Sequence, residues 1–470
     1  MLLFPGKRHS ERDASPNTDS TLFLDIDRRL QEWRNNDLPF GGVGVIAMGD
    51  LFQLPPVAGT SLPHASTITG HPAGMLFSRF ELVQLQRQMR TDDQGHLDQL
   101  NYFRNPAFSS TPIKDSKILH SLKTISSSDY ESDPLWYDAT IIVSENVTRV
   151  TLNRSQALLF AKKNNQPVIS WRHTLADQSR PYFVEASGGN LTRLEEILSS
   201  IPDMTFYFVK GAPAVLKDNI WTSEGLVNGR MCHLHSLTLS GPNASKSWER
   251  IAGALPGEEV MLPEPPLSVN IQLETASETL SSLSIVDGIT VLPLLEQRDS
   301  PRTLVTAKRT NSLSRMLSKR LRLSYFDFGL DLAFAVTYHK VQGRTLDRVI
   351  IDLASIGHIS VAAFYVAISR TRRQEHIRIL PWDNIISRRQ LEVKKFDKVL
   401  IEWFATATNN EELLSKIGVN NSDINRRRQC SSDVDENDGD SAQFQSQRTR
   451  LAESDSSDSE DASSHVHTTL

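Results

Sequence analysis

The sequence predicts an α/β protein with mostly parallel sheets. Three short apolar runs have the pattern of buried strands: VGVIAM at 43–48, ATIIV at 139–143 and RVIIDL at 348–353. Helix-type patterns follow the second run at 152–163 and the third run at 361–370. Strands that alternate with helices form parallel sheets that are covered on both faces. The length of 470 residues indicates two or three domains.

The first predicted element is a helix that begins near Thr21. Residues 1–20 are polar and lack apolar periodicity, so we expect them to be disordered or displaced. In TLFLDIDRRLQEW, residues 21–33, apolar side chains recur at helical spacing and predict one buried face. That face consists of Leu22, Phe23, Ile26, Leu30 and Trp33.

Two later regions have other patterns. Residues 225–322 contain short apolar stretches, such as MCHLHSLTL and GITVLPLL, separated by Gly, Pro and Ser. This pattern predicts a small β-rich insertion. Residues 409–470 are polar and rich in Ser, Asp and Glu. Such a segment buries too little apolar surface to offset its ordering entropy, so we expect a disordered acidic tail.

Composition and charge exclude some classes of protein. Cys232 and Cys430 are the only cysteines, so neither a disulfide framework nor a four-cysteine zinc site can form. The first residues, MLLFPGKRHSERD, are too polar for a signal peptide or a membrane span, and we expect a cytosolic or nuclear protein. The net charge is −5, of which the acidic residues 431–470 carry −8 and the rest +3. Mild positive charge permits nucleic-acid binding but is common in other proteins.

A rigid turn follows the first strand run. Its residues are GDLFQLPPV at 49–57, in which the prolines fix the backbone. A turn at the end of a strand can direct the amide of Gln53 into a cleft. The same residues also fit a Pro-rich strand exit with a solvated glutamine.

An arginine-containing segment, FELVQLQRQMR at 80–90, comes next. A guanidinium stays charged and presents a fixed fork of donors to oxygens on which charge accumulates in phosphoryl transfer. Arg87 is the candidate for such a contact. The alternative is a solvated arginine in an amphipathic helix, which is the commoner case.

The most specific pattern is LAFAVTYHKVQGRTLDRVIIDL at 332–353. Gly343 would let the backbone approach a ligand closely. The surrounding polar residues offer donors of the kind that hold phosphates and single-stranded bases; they are His339, Lys340, Gln342, Arg344 and Thr345. The alternative is a polar turn between a strand and a helix. Downstream, YVAISR at 365–370 ends in Arg370, which also fits a cation near a helix C-terminus.

Together these four segments resemble motifs of the Pif-type superfamily 1 DNA helicases. GAPAVLKDN at 211–219 and GLVNG at 225–229 resemble strings that frame a small inserted domain in that family. The dipeptide Asn228-Gly229 fits a plain hairpin turn equally well. Val341 departs from the family, which often has a small polar residue at that position. The resemblance covers about residues 21–400.

The resemblance implies an arrangement of domains. It implies RecA-like P-loop NTPase motor domains, with the remainder of a first domain at 21–135 and a second domain at 136–224 plus 323–405. The β-rich insertion at 225–322 would be SH3-like. The protein would be a monomer without a membrane partner or a structural metal.

The resemblance also implies an activity and residue roles. Gln53 would sense the γ-phosphate of ATP, and Arg87, Gly343 and Arg370 would contact the nucleotide, whose Mg²⁺ the family requires. His339, Lys340, Gln342, Arg344 and Thr345 would contact single-stranded or forked DNA. The implied function is an ATP-dependent 5′–3′ DNA helicase acting in DNA repair, recombination or telomere maintenance. We expect it in the nucleus, with the mitochondrion or the cytoplasm as alternatives.

Two motifs on which phosphoryl transfer depends are missing from this sequence. It contains no Gly-x-x-x-x-Gly-Lys-Ser/Thr string. The one Gly-Lys pair in the sequence, Gly6-Lys7, has no glycine five positions before it and no Ser or Thr after it. The magnesium-binding Asp-Glu pair after an apolar strand is also absent. We therefore expect a fragment that does not hydrolyse ATP by itself. The alternative function is a non-catalytic nucleic-acid-binding or scaffold protein.

Overall fold

The chain divides into two compact units, Met1–Gln86 with Phe396–Leu470 and Arg87–Lys395. The computed structural model describes residues 19–56, 59–85, 87–104, 122–176, 201, 204–273, 279–280, 285–286, 289–299, 301–305, 322–353, 359–380, 397–410 and 415. The predictions for residues 1–18 and for nearly all of the tail after residue 410 lie outside these ranges. The predicted domain boundaries remain predictions.

Helices and strands alternate through much of the described chain. The helices are α1 (Ser20–Arg34), α2 (Leu62–Thr67), α3 (Pro72–Phe77), α4 (Gln94–Arg104), α5 (Ser127–Ser132), α6 (Asn146–Lys163), α7 (Ala244–Gly253), α8 (Tyr338–Val341), α9 (Val361–Ile368) and α10 (Lys398–Ala407). The first eight strands are β1 (Lys123–Thr124), β2 (Thr140–Val143), β3 (Val168–Arg172), β4 (Thr174–Leu175), β5 (Thr205–Phe208), β6 (Pro213–Leu216), β7 (Met231–Thr238) and β8 (Glu259–Met261). The others are β9 (Ser268–Gln272), β10 (Ile285–Val286), β11 (Ile289–Leu295), β12 (Arg302–Val305), β13 (Arg322–Phe326), β14 (Leu330–Leu332), β15 (Ala335–Thr337), β16 (Val349–Ile351) and β17 (Ile377–Ile379).

Helix α1 of the first unit confirms the predicted helix, but its buried face differs from the predicted one. Leu22 and Trp33 are 52% and 73% exposed, whereas Asp27 and Gln31 are buried. The reason is a polar contact: the Asp27 carboxylate accepts the backbone N–H of Phe40 at 2.5 Å and is bonded by the Gln31 amide. A buried polar group is tolerated when it is hydrogen-bonded in this way.

The predicted buried strand at 43–48 does not form. These residues lie in no strand, and Ile46 and Met48 are 37% and 56% exposed. Among the described residues of the first unit, β-type pairing is limited to the isolated bridge between Asp19 and Ser61. A strand needs a partner for its backbone groups, so the run stays irregular here.

The second unit contains the predicted parallel sheet, which confirms the α/β fold class. Its strand order is β1-β17-β16-β2-β15, and every pair is parallel. Helix α6 follows β2 and begins at Asn146, earlier than the predicted start at 152. The buried Asn153 fixes it to the sheet by bonding the carbonyls of Leu332 and Ala335, each at 3.0 Å.

An antiparallel sheet adjoins these elements within the second unit. Its order is β10-β11-β9-β7-β6-β14. Strands β6 and β14 lie outside 225–322, so the sheet extends beyond the predicted insertion, whose SH3-like character remains a prediction. A core of buried apolar residues includes Trp171 of β3 and Leu234 of β7.

Candidate nucleic-acid interface

The segment His339–Thr345, called the loop below, consists of the last three residues of the short helix α8 and the turn that follows it, just after strand β15. The short helix α8 buries Tyr338 and Val341 and leaves His339 exposed and Lys340 half-buried. This spacing follows from helical geometry, because residues three apart share a face. The apolar pair therefore anchors the loop, while the polar residues between and after it face outward or lie at the surface.

Gly343 gives the loop its shape. Its φ is +80°, in the left-handed region, and a Cβ built there would meet no atom within 4 Å. Glycine is thus needed for the backbone conformation and not for space. The turn is closed by the N–H of Arg344, which donates to the Val341 carbonyl at 3.1 Å.

The two cations of the loop are held by the turn between β6 and β7. Lys340 Nζ donates to Asn228 Oδ1 at 2.7 Å, and the Arg344 guanidinium donates to the Gly229 carbonyl. Burial lowers the pKa of Arg344. Burial also lowers the pKa of Lys340, with the nearby cation of Lys217 acting in the same direction and Asp331 opposing it.

Arg370 lies beneath the loop and is almost completely buried, at 1% exposure. Its Nε donates to the Val366 carbonyl at 2.8 Å, and its Nη1 lies 3.5 and 3.4 Å from the carbonyls of Val341 and Arg344. In this conformation the guanidinium fastens the loop to helix α9. Its predicted contact with a nucleotide would require it to leave these carbonyls.

Arg90, and not Arg87, meets this loop. Arg90 Nε donates to Thr345 Oγ1 at 3.2 Å and its Nη1 to the Ser369 carbonyl at 2.8 Å, whereas Arg87 is exposed. Burial lowers the pKa of Arg90. The segment at 81–90 is neither helix nor strand where it is described. Sequence reasoning missed Arg90, although it ends the arginine-containing segment and could have been weighed beside Arg87.

Asp93 fixes the chain just after Arg90. Its carboxylate accepts the N–H groups of Gln374 and Gly95, each at 3.0 Å. The bond from Gln374 is the main cause that lowers the pKa of Asp93. Residues 90–93 are therefore attached to the turn that follows Arg370.

Gln53 lies in the first unit. Phe52 and Leu54 on either side are buried, and Phe52 packs edge-on against Phe404 with the ring centroids 5.2 Å apart. The half-buried Gln53 amide donates to Asp50 Oδ2 at 3.4 Å. The buried neighbours therefore anchor the segment, while the Gln53 side chain lies at its surface.

The structure brings most of the predicted residues together. The second unit contains both the loop and Arg370, which lies beneath it. The predicted residues in the loop are His339, Lys340, Gln342, Gly343, Arg344 and Thr345. Within the described ranges, no group of three or more His, Cys, Asp or Glu could hold a metal ion. No helix in the part of the chain that the structure describes is long and apolar enough to cross a membrane.

Comparison with known proteins confirms the predicted resemblance. A family model described as PIF1-like helicase matches residues 12–111. The chain is 23% identical to ATP-dependent DNA helicase Pif1 of Psychrobacter sp. over 383 residues, 77% of this chain and 51% of that protein. It is 23% identical to ATP-dependent DNA helicase PIF1 of Xenopus laevis over 391 residues, 83% of this chain and 49% of that protein.

The fold is similar to that of a solved relative. The crystal structure of Bacteroides Pif1 bound to ssDNA matches with a TM-score of 0.50 and 20% identity, covering 84% of this chain and 74% of that one. This likeness supports the α/β fold class. The chain spans about half the length of the two curated relatives described above.

Proposed function

We propose that this chain is a motor portion of a Pif-type ATP-dependent DNA helicase and that its loop His339–Thr345 binds a single DNA strand. The observation that carries the proposal is the loop itself. Its donors are gathered on one glycine turn, and Arg370 holds that turn from below.

The chemistry of the loop suits a phosphate backbone. Lys340 and Arg344 each use one donor on the neighbouring turn, and ammonium and guanidinium groups have further donors. The exposed Thr345 hydroxyl accepts from Arg90 and can still donate its own proton. Donors of this kind bind phosphate oxygens and orient a strand without reading its sequence.

The nucleotide roles belong to the same proposal. The proposed nucleotide-binding residues are Gln53, Arg87, Gly343 and Arg370. Arg90 is a further candidate, because it donates to the carbonyl of Ser369, the residue before Arg370. ATP would be the substrate, but we assign Mg²⁺ to no residue of this chain. From the family resemblance we also propose translocation from 5′ to 3′, action on forked DNA and a monomeric state. The same resemblance supports a nuclear location and roles in repair, recombination or telomere maintenance.

A second candidate function is a non-catalytic nucleic-acid-binding or scaffold protein. The observation that favours it is the absence from this sequence of the phosphate-binding Gly-x-x-x-x-Gly-Lys-Ser/Thr string. Both candidates predict strand binding by the same loop. They differ in ATP turnover, which phosphate-loop chemistry supports and strand binding alone does not.

Fluorescence anisotropy with a labelled oligonucleotide across a salt series tests the binding. The double variant Lys340→Ala/Arg344→Ala should bind more weakly, and its salt slope should be about 0.7 shallower for each lost phosphate contact. Identical curves for the variant and the unchanged chain would contradict the proposal. A DNA-stimulated ATPase assay tests the second point. We expect no turnover from the 470-residue chain alone, because the phosphate-binding string is absent, whereas turnover that is lost in Arg370→Ala would favour the motor candidate over the non-catalytic one.

A further inference from the structure

The turn Val227–Gly229 lies near the end of the connection between strands β6 and β7, and several hydrogen bonds hold it. The N–H of Asn228 donates to Asn219 Oδ1 at 2.8 Å, and the N–H of Gly229 donates to the Leu216 carbonyl at 2.8 Å. The N–H of Arg230 closes the turn on the Val227 carbonyl at 2.9 Å. Such a turn holds its side chain and its carbonyl in fixed directions.

The turn contacts the candidate DNA-binding loop, which is distant from it in sequence. Asn228 accepts from Lys340, 112 residues later, and Gly229 accepts from Arg344, 115 residues later. Both acceptors are uncharged, so each holds a cation in place without cancelling its charge. The cations stay available to a phosphate.

We propose that Asn228 and Gly229 are positioning residues for single-stranded DNA and that their turn forms one rim of the strand-binding surface. This inference rests on the proposed function. Lysine and arginine lose much side-chain freedom when they bind a ligand. A turn that already orients both cations removes part of that loss before the strand arrives.

Gly229 is the more sensitive of the two positions. Its φ is +94°, and a Cβ built there would lie 3.3 Å from the Arg344 guanidinium nitrogen. Gly225, in the same connection, has a φ of +74° and nothing within 4 Å. An alanine at either position strains the backbone, but only Gly229→Ala also crowds the Arg344 guanidinium.

This pair gives a matched test of binding to a labelled single-stranded oligonucleotide by anisotropy. Gly229→Ala should weaken binding by about threefold to tenfold, which is the cost of ordering one long side chain again. Gly225→Ala should leave the affinity within about twofold, because its strain does not reach either cation. Thermal melting of both variants checks that each is folded.

A charge at Asn228 provides a second readout that a purely structural role would not move. Asn228→Asp keeps an acceptor for Lys340 but places a negative charge at the proposed rim. It should weaken binding strongly at low salt and little at high salt, because salt screens exposed charges. The control is Asn165→Asp, at the exposed residue after the C-terminal end of the 18-residue helix α6, where the left-handed backbone conformation accepts aspartate as well as asparagine, and it should not affect binding.

The outcomes separate this inference from the proposed function. If Lys340→Ala/Arg344→Ala does not weaken binding, the proposed function fails and the inference fails with it. If that double variant weakens binding, equal affinities for Gly229→Ala and Gly225→Ala, with equal salt curves for the two aspartate variants, would overturn the inference alone. Selective loss with Gly229→Ala and a salt-dependent loss with Asn228→Asp would support it.

Discussion

Two apolar runs of similar composition differ in the two units. TIIV at 140–143 forms strand β2, which pairs with β15 and β16, and Ile142 has no solvent exposure. VGVIAM at 43–48 forms no strand and leaves Ile46 partly exposed. An apolar run thus tells how a segment can pack, whereas its partners decide whether it does so. Polar residues with the same side chain likewise differ in their packing contacts.

The largest effect is expected at the two isoleucines. Ile142→Ala should lower the free energy of unfolding by about 2–5 kcal/mol, because it leaves a cavity in a packed sheet. Ile46→Ala should change it by less than about 0.5 kcal/mol, since the side chain is partly solvated already. Denaturant unfolding of both variants measures the difference. Comparable losses would mean that the run at 43–48 is packed in solution.

Acid should weaken the second unit through His173, whose Nδ1 is buried and whose ring stacks on Tyr325. Burial lowers the pKa of His173 from 6.5 to about 4. The unfolded chain therefore takes up this proton first, so the stability is complete above pH 6.5 and is lost as the pH falls towards 4. The loss should reach up to about 3 kcal/mol.

Urea titrations at several pH values between 7 and 4 measure this dependence. His173→Phe keeps a stacked ring but cannot titrate, so it should flatten the curve in that window. An unchanged pH dependence in the variant would assign the acid sensitivity to other groups.

Glycines in the two units should also differ. A Cβ at Gly41 would lie 2.4 Å from the Leu30 carbonyl oxygen of helix α1, so Gly41→Ala should cost at least about 2 kcal/mol. Gly343→Ala meets no atom and should cost about 1 kcal/mol from backbone strain alone. Thermal melts of the two variants compare these costs, and a smaller shift for Gly41→Ala would show that α1 can move away.

The smallest effect concerns two neighbouring arginines. Arg90→Ala removes the bonds to Thr345 and Ser369 and should cost about 1–2 kcal/mol of unfolding free energy. Arg87→Ala removes an exposed side chain and should cost less than about 0.5 kcal/mol. Chemical denaturation distinguishes them. Equal costs would show that Arg87 has packed contacts in solution.

The parallel sheet and the loop were predictable because their signals are local. The runs at 139–143 and 348–353 contain β2 and β16, and Gly343 marks the turn by its conformational freedom. The support of the loop was not predictable in this way. Arg90 meets residues 255 and 279 positions away, and no short pattern encodes such a distance.

The failed strand at 43–48 has a different cause. Its pattern describes only its own side chains and carries no information about pairing partners. The buried Asp27 in α1 is similar, since its burial depends in part on the N–H of Phe40, 13 residues later. The spacing of apolar residues predicted the position of that helix correctly, but the prediction of its buried face was wrong.

The burial of Arg370 has a thermodynamic consequence. The same guanidinium that fastens the carbonyls of Val341 and Arg344 is the group proposed to meet a nucleotide. A nucleotide that draws it away would loosen the loop that we propose to bind DNA, and linkage requires the effect to be reciprocal. Strand binding would then change nucleotide affinity by the factor by which the nucleotide changes strand affinity, with one side chain carrying the coupling in both directions.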